Sequence, residues 1–195
     1  MELRLADPRT DASAVARIYA PHVIGGFASF EDVAPSPSEM ASRIRRTLPV
    51  TPWLVAAEGD DVIGYAYASP HRDRAGYRWS VDVSAYVADT WRGRGVGARL
   101  YGALLTILRR QGFVNAYAGI AQPNPASVRL HRAIGMSEVG TYHGVGFKGG
   151  TWRDVTWLEM ALGQRVEQPA EPVALAALLD DAAGRDAVAL ALRPA

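Results

Sequence analysis

Trp79-Ser80-Val81-Asp82-Val83-Ser84-Ala85-Tyr86-Val87 leads through a polar turn, Asp89-Thr90-Trp91, into Arg92-Gly93-Arg94-Gly95-Val96-Gly97. The first nine residues are rich in β-branched and aromatic side chains and predict a strand. After the glycines, Val96, Leu100, Leu104, Ile107 and Leu108 form a single apolar stripe at helical spacing. Gly112 stands where a helix C-cap glycine belongs. The order is strand, glycine loop, helix. Free N–H groups at a helix start, together with the macrodipole, favour an anion there. Glycines let the backbone approach a diphosphate, and Arg92 and Arg94 add charge. A Walker loop is excluded, because Gly97 is followed by Ala98 and Arg99 rather than Lys and Ser or Thr. A dinucleotide fingerprint is excluded too, because Gly93-Arg94-Gly95-Val96-Gly97-Ala98 has the wrong glycine phase. What is left is either an anion-binding loop with the pattern Arg92-x-x-Gly95-x-Gly97 or a glycine turn that only caps a helix.

Composition narrows the class. The chain has 195 residues, enough for one domain, or one domain with a tail. Its hydrophobic share of 49% is enough for a sizeable core. A net charge of +1 gives no reason to expect nucleic acid or anionic lipid as a partner. Without cysteine there is neither a disulfide framework nor a thiolate nucleophile. No apolar run approaches membrane-spanning length, and the N-terminus lacks a signal pattern. The default expectation is a cytoplasmic protein.

The rest of the chain reads in order. Glu2 to Ala6 alternates as a first strand. Thr10 or Asp11 caps a helix carrying Val15, Ile18 and Tyr19, which the loop Gly25 to Glu31 breaks. The phenylalanines of that loop, Phe27 and Phe30, are core plugs or the wall of a pocket. Ser36-Pro37-Ser38-Glu39 is a capping box that starts a helix with Met40, Ile44 and Leu48. Trp53 to Glu58 and Val62 to Ala68 flank Gly59-Asp60-Asp61 as a hairpin. Beyond the central helix, Phe113 to Ile120 is a strand. Asn124, with Pro125 at the first helical position, opens a helix that runs past Ser127 and His131 to Gly135. Met136 to Thr141 and Val155 to Leu162 are the last strands. The glycine-rich span His143 to Asp154 between them looks unfit for a regular element and is expected to be functional or to form a hairpin turn. From residue 164 the composition changes. A linker, Glu167 to Pro172, precedes a short amphipathic helix through Leu175, Leu178 and Leu179, expected to pack on a partner or to be mobile.

This order resembles the plan of GCN5-related N-acetyltransferases. Individual motifs are similar to those of the phosphinothricin and methionine sulfone/sulfoximine acetyltransferases. They are Pro52-Trp53-Leu54-Val55-Ala56, Gly64-Tyr65-Ala66-Tyr67-Ala68, Tyr77-Arg78-Trp79, Arg92 to Gly97, Ser127-Val128-Arg129-Leu130-His131 and Gly149 to Val155. The likeness covers roughly residues 2 to 162. It implies an α/β (α+β) fold: a mixed, mostly antiparallel sheet of about seven strands with helices on both faces. Residues 1–163 would be the catalytic domain and 164–195 a tail. It also implies acetyl-CoA as co-substrate, no metal, an amino-acid analogue as acceptor, resistance to herbicides of that type, and a homodimer.

The resemblance assigns roles residue by residue. Arg92, Gly93, Arg94, Gly95, Val96 and Gly97 would hold the cofactor's diphosphate. Ala85, Tyr86 and Val87 would pair with its pantetheine arm, near Asn124 and Ser127. The close relatives carry glutamate as base in the strand where this chain has Asp82, one methylene shorter. Asp82 is then a base, direct or through water, or merely a grip for the substrate ammonium. His131 stands where most of the superfamily places an acidic tyrosine and the close relatives a histidine, and it is either functional or structural. Arg72 and Arg74 suit a carboxylate or phosphinate, or form a solvated basic loop. Tyr77, Phe30, Lys148 and Trp152 are further pocket candidates. A polyamine, aminoglycoside or protein N-terminus as acceptor stays open, as does a non-catalytic acetyl-CoA-binding module.

Overall fold

A computed structural model describes residues 1–193. Seven strands form one sheet in the order β1-β2-β3-β4-β5-β7-β6. They are β1 (Glu2–Leu5), β2 (Trp53–Glu58), β3 (Asp61–Pro70), β4 (Ser80–Val87), β5 (Asn115–Ala121), β6 (Ser137–Lys148) and β7 (Thr151–Ala161). β4 and β5 run parallel, and every other pairing is antiparallel. The helices are α1 (Ala12–Ile24), α2 (Pro37–Thr47), α3 (Val96–Gln111), α4 (Pro125–Ala133), α5 (Leu175–Asp180) and α6 (Ala182–Leu192).

The alternation of β4 distributes its side chains to two cores. Val81 and Val83 are buried in the cluster built around the α3 stripe of Leu100, Leu104, Ile107 and Leu108. Tyr86 faces the other way and packs with Tyr19 of α1 and Tyr65 of β3, their rings 5.0 and 5.3 Å away. Asp82 is on this second face, with Ser84 and Tyr86. The capping predictions divide. Ser36 Oγ accepts from the Glu39 amide at 3.2 Å, and Asn124 Oδ1 from the Ser127 amide at 3.1 Å. Asp11 occupies the N-cap of α1, but its carboxylate grips Arg4 at 2.6 and 2.7 Å instead of the helix.

Two regions depart from the sequence reading. His143 to Asp154 forms a hairpin, one of its two expected forms, but its arms are regular strands, with Lys148 paired to Thr151. Gly149 and Gly150 take φ of +59° and +74°, the left-handed pair that a two-residue hairpin turn requires. The remaining irregularity is absorbed by register shifts between Glu138 and Gly140 and between Tyr142 and Gly146. Among the described residues, 164–193 form two helices rather than one, and these fold back on their own domain. Leu175 and Val188 are 1% and 3% exposed and belong to the α3 core. The Gln111 side chain ties this segment down by donating to the carbonyls of Val50 and Val173 at 2.7 and 2.8 Å. Residues 194 and 195 of the expected tail lie outside the described residues.

Candidate active site

β4 and β5 pair only from Ser80–Asn115 to Asp82–Tyr117. Beyond that they part. Val83 to Val87 and Ala118 to Ala121 stay paired on their far sides, to β3 and β7, and present bare backbone edges to each other. A cleft of about 630 Å³ opens there. One end is the glycine loop. Gly93 and Gly95 have φ of +75° and +80°, and Gly95 is the N-cap of α3. The amides of Val96, Gly97 and Ala98 have no hydrogen-bond partner among the described residues; the first helical bond is donated by Arg99 to the Gly95 carbonyl. A side chain at Gly97 would press on Leu130 of α4, its Cβ 2.9 Å from Leu130 Cδ2. Orphan amides, open strand edges and a cradle kept clear by glycine suit an extended ligand with a diphosphate end.

The cleft is lined by Ala85, Tyr86, Val87, Arg92, Gly93, Gly95, Val96, Gly97, Asn124 and Ser127, which the sequence reading had grouped. Arg94 departs from that group. Its guanidinium lies 4.9 Å from the centre of the Trp91 ring, and it is not part of the lining. The loop Gly26-Phe27-Ala28 and His22 of α1 also line the cleft. The sequence offers Phe27 as a core plug or a pocket wall, and it walls the cleft; no local pattern marks His22, Gly26 or Ala28, which arrive from a distant part of the chain. Burial and the nearby Arg92 hold the His22 ring below its usual pKa.

Asp82 is the last paired residue before the strands part, at the vertex of the opening; on β4 the cleft lining itself begins at Val83, and it includes neither Asp82 nor Arg72 and Arg74. Its Oδ1 is 2.6 Å from Nδ1 of His71, a residue the sequence does not mark. Burial pushes the Asp82 carboxyl up, against the opposing influence of His71 and Arg72. The His71 ring stacks on Tyr117 at 4.6 Å, with Tyr77 and Trp157 edge-on at 5.9 and 6.0 Å. Arg72 donates to the His71 carbonyl at 2.7 Å and lies 5.7 Å from the Trp157 ring. Arg72, Arg74 and Tyr77 are all exposed, Tyr77 beside His71.

His131, read from the sequence as either functional or structural, is enclosed by its neighbours. It is 5% exposed, and both its nitrogens are occupied. Nδ1 donates to the Ser127 carbonyl at 2.7 Å, which leaves Nε2 to accept from the Tyr101 hydroxyl at 2.8 Å. Burial lowers its pKa, so the ring is neutral, with no N–H left to offer a thiolate. In this arrangement His131 orients Tyr101, which also lines the cleft.

The remaining candidates gather at the β6–β7 hairpin. Lys148 Nζ donates to the Glu31 carbonyl. Phe30 packs its ring where a Cβ at Gly146 would stand. Arg153 covers Phe27 at 4.4 Å, so the hairpin braces the loop that walls the cleft. Trp152 is 66% exposed, on the outer side with Phe147, and is not part of the cleft lining. Among the described residues no group of three or more acidic or imidazole side chains is placed to hold a metal, and no helix is long and apolar enough to cross a membrane.

Comparison with known proteins gives this geometry a context. The family model described as "Acetyltransferase (GNAT) domain" matches residues 4–157. The phosphinothricin N-acetyltransferase of Alcaligenes faecalis is 39% identical over 157 residues, 78% of each chain. The L-methionine sulfoximine/L-methionine sulfone acetyltransferase of Salmonella typhimurium is 33% identical over 165 residues, 84% of this chain and 96% of that one. A phosphinothricin acetyltransferase from Sinorhizobium meliloti, solved in complex with AcCoA, superposes with a TM-score of 0.82 at 37% identity, covering 88% of this chain and 94% of that one. With its splayed strands, its glycine loop and these relatives, the chain belongs to the GNAT acetyltransferase family.

Proposed function

We propose that the protein transfers acetyl from acetyl-CoA to the α-amino group of a small amino-acid analogue such as phosphinothricin, methionine sulfoximine or methionine sulfone. The observation that carries this reading is the half-buried carboxylate of Asp82 at the vertex of the opening, with Arg72 beside it. The free amides of Val96, Gly97 and Ala98, with Arg92, hold the diphosphate. The bare edge of Ala85 to Val87 lines up the pantetheine arm and points its thioester end toward Asp82. Acetyl-CoA supplies the acetyl group in activated form. The Asp82 carboxylate serves removal of the proton from the substrate ammonium, as the base itself, through water, or through the neighbouring group that it holds. Arg72 and Arg74 receive the carboxylate or the oxygen-rich head of the acceptor. The family relatives act on such analogues, which supports the same acceptor class here. The exposed Tyr142, Val145, Phe147 and Trp152 on the β6–β7 hairpin give a homodimer an apolar face. The working compartment is the cytoplasm, and the biological outcome is detoxification of the herbicide type.

A thiol-release assay with acetyl-CoA and a panel of acceptors tests the reading. Release is expected with the amino-acid analogues and absent with spermidine, an aminoglycoside and a peptide N-terminus. Release confined to the cationic amines overturns it.

A further inference from the structure

The chain carries a carboxylate one methylene shorter than glutamate at the vertex, and an imidazole fills the space beyond it. His71 Nδ1 is 2.6 Å from Asp82 Oδ1. A stack on Tyr117 and edge contacts from Tyr77 and Trp157 hold the ring. Tyr117 is the register partner of Asp82, so the ring lies over the point where β4 and β5 separate. With Nδ1 engaged by the carboxylate, Nε2 is the free nitrogen, and it has no hydrogen-bond partner among the described residues. The side chain is 14% exposed, enough for contact with a small substrate but not with bulk water on every side.

We propose that His71 is the group that takes the proton from the acceptor ammonium, with Asp82 as its positioning partner. The inference rests on the acetyltransferase reading above. The ammonium gives one proton to Nε2. The freed amine forms the C–N bond as the thioester C–S bond breaks, and its second proton leaves with the thiolate. Asp82 fixes the ring so that Nε2 faces the amine and stabilises the imidazolium, as in carboxylate–histidine pairs of hydrolases. The charged and titratable groups around the ring are few. Asp82 faces it from β4, Tyr117 from β5, and Tyr77 from the short turn Ala75–Tyr77. Glu159 of β7 pairs with Tyr117 in register, and Arg72 follows in the chain.

His71→Asn keeps a donor where Nδ1 stands and so retains a partner for Asp82, while the ring and its proton acceptor are gone. Its kcat at neutral pH should fall roughly 100- to 10,000-fold, the usual range for a positioned base. The loss should shrink at high pH, where the amine arrives already deprotonated, and the KM for acetyl-CoA should not move. Added imidazole should partly restore His71→Ala. A far-downfield ring N–H proton resonance should be present in the wild type and absent in Asp82→Asn and in His71→Asn, a readout independent of turnover. A wild-type pH–rate profile in His71→Asn, or a resonance unaffected by Asp82→Asn, overturns the inference. An active wild type with an indifferent His71→Asn defeats this inference alone. A wild type that acetylates no acceptor defeats the acetyltransferase reading and this step with it.

Discussion

Leu175→Ala would measure how far the C-terminal helices belong to the domain. Leu175 is 1% exposed and packed in the α3 core, and its amide donates to the Val50 carbonyl at 3.0 Å. Removing a fully buried leucine side chain costs about 2–5 kcal/mol, the lost transfer free energy plus the cavity left behind. For a chain of this size each kcal/mol lowers Tm by about 2–4 °C, so the drop should be about 4–20 °C. Leu190→Ala is the control. It makes the same chemical change in the same segment at a side chain that is 61% exposed, and should cost no more than about 0.5 kcal/mol. Urea denaturation followed by circular dichroism gives both values, with unchanged m-values as the check that only the native state was altered. Affinity for acetyl-CoA should be equal in the two variants, since neither side chain touches the cleft. Equal, near-zero costs for Leu175→Ala and Leu190→Ala would refute the packing argument and leave residues 164–193 as an appendage.

Two other expectations concern the cleft. At a hundredfold excess over Kd, acetyl-CoA should stabilise the native state by about 2.7 kcal/mol, a rise of roughly 5–11 °C in Tm. Gly97→Val, which forces Leu130 aside, should abolish that rise, and an undiminished shift would exclude the loop as the binding site. His131 bears on acid stability. Its folded-state pKa is depressed, so the unfolded chain binds the proton first as pH falls. Stability is therefore complete above the unfolded value of about 6.5 and declines below it, by up to about 1.4 kcal/mol per pH unit, until the folded ring also titrates. His131→Gln should flatten the decline between pH 7 and 5, and identical slopes would show that His131 is not the titrating group.

Much of this was legible in the sequence because it is local. The α3 stripe, the Asn124 and Ser36 caps and the glycine loop each depend on residues within a few positions of one another. The His143 to Asp154 hairpin was harder to see. Glycine in a strand normally signals a break, yet here Gly149 and Gly150 make the turn and the register shifts absorb the rest. Single residues were harder to read where a side chain's partner is not given by the local pattern. His131 has an acid's position, but Tyr101, thirty residues earlier, takes its free nitrogen. Arg94 is next to the loop's glycines, but Trp91 draws it aside. His71 meets Asp82 only because β3 and β4 are antiparallel neighbours and set Ser69 opposite Asp82. Neither residue announces the other.

The parting of β4 from β5 also bears on self-association. An unpaired strand edge is a template for any passing extended chain, and proteins ordinarily blunt such edges at the rim of a sheet. Here two edges face each other inside the molecule, Val83 to Val87 against Ala118 to Ala121. The start of α3, the helix α4 and the loop around Phe27 hem them in. A foreign strand would have to thread that gap end-on. A slender linear arm can lie along it without opening the sheet. The fold thus keeps backbone hydrogen-bonding groups available for one shape of visitor while denying them to other proteins.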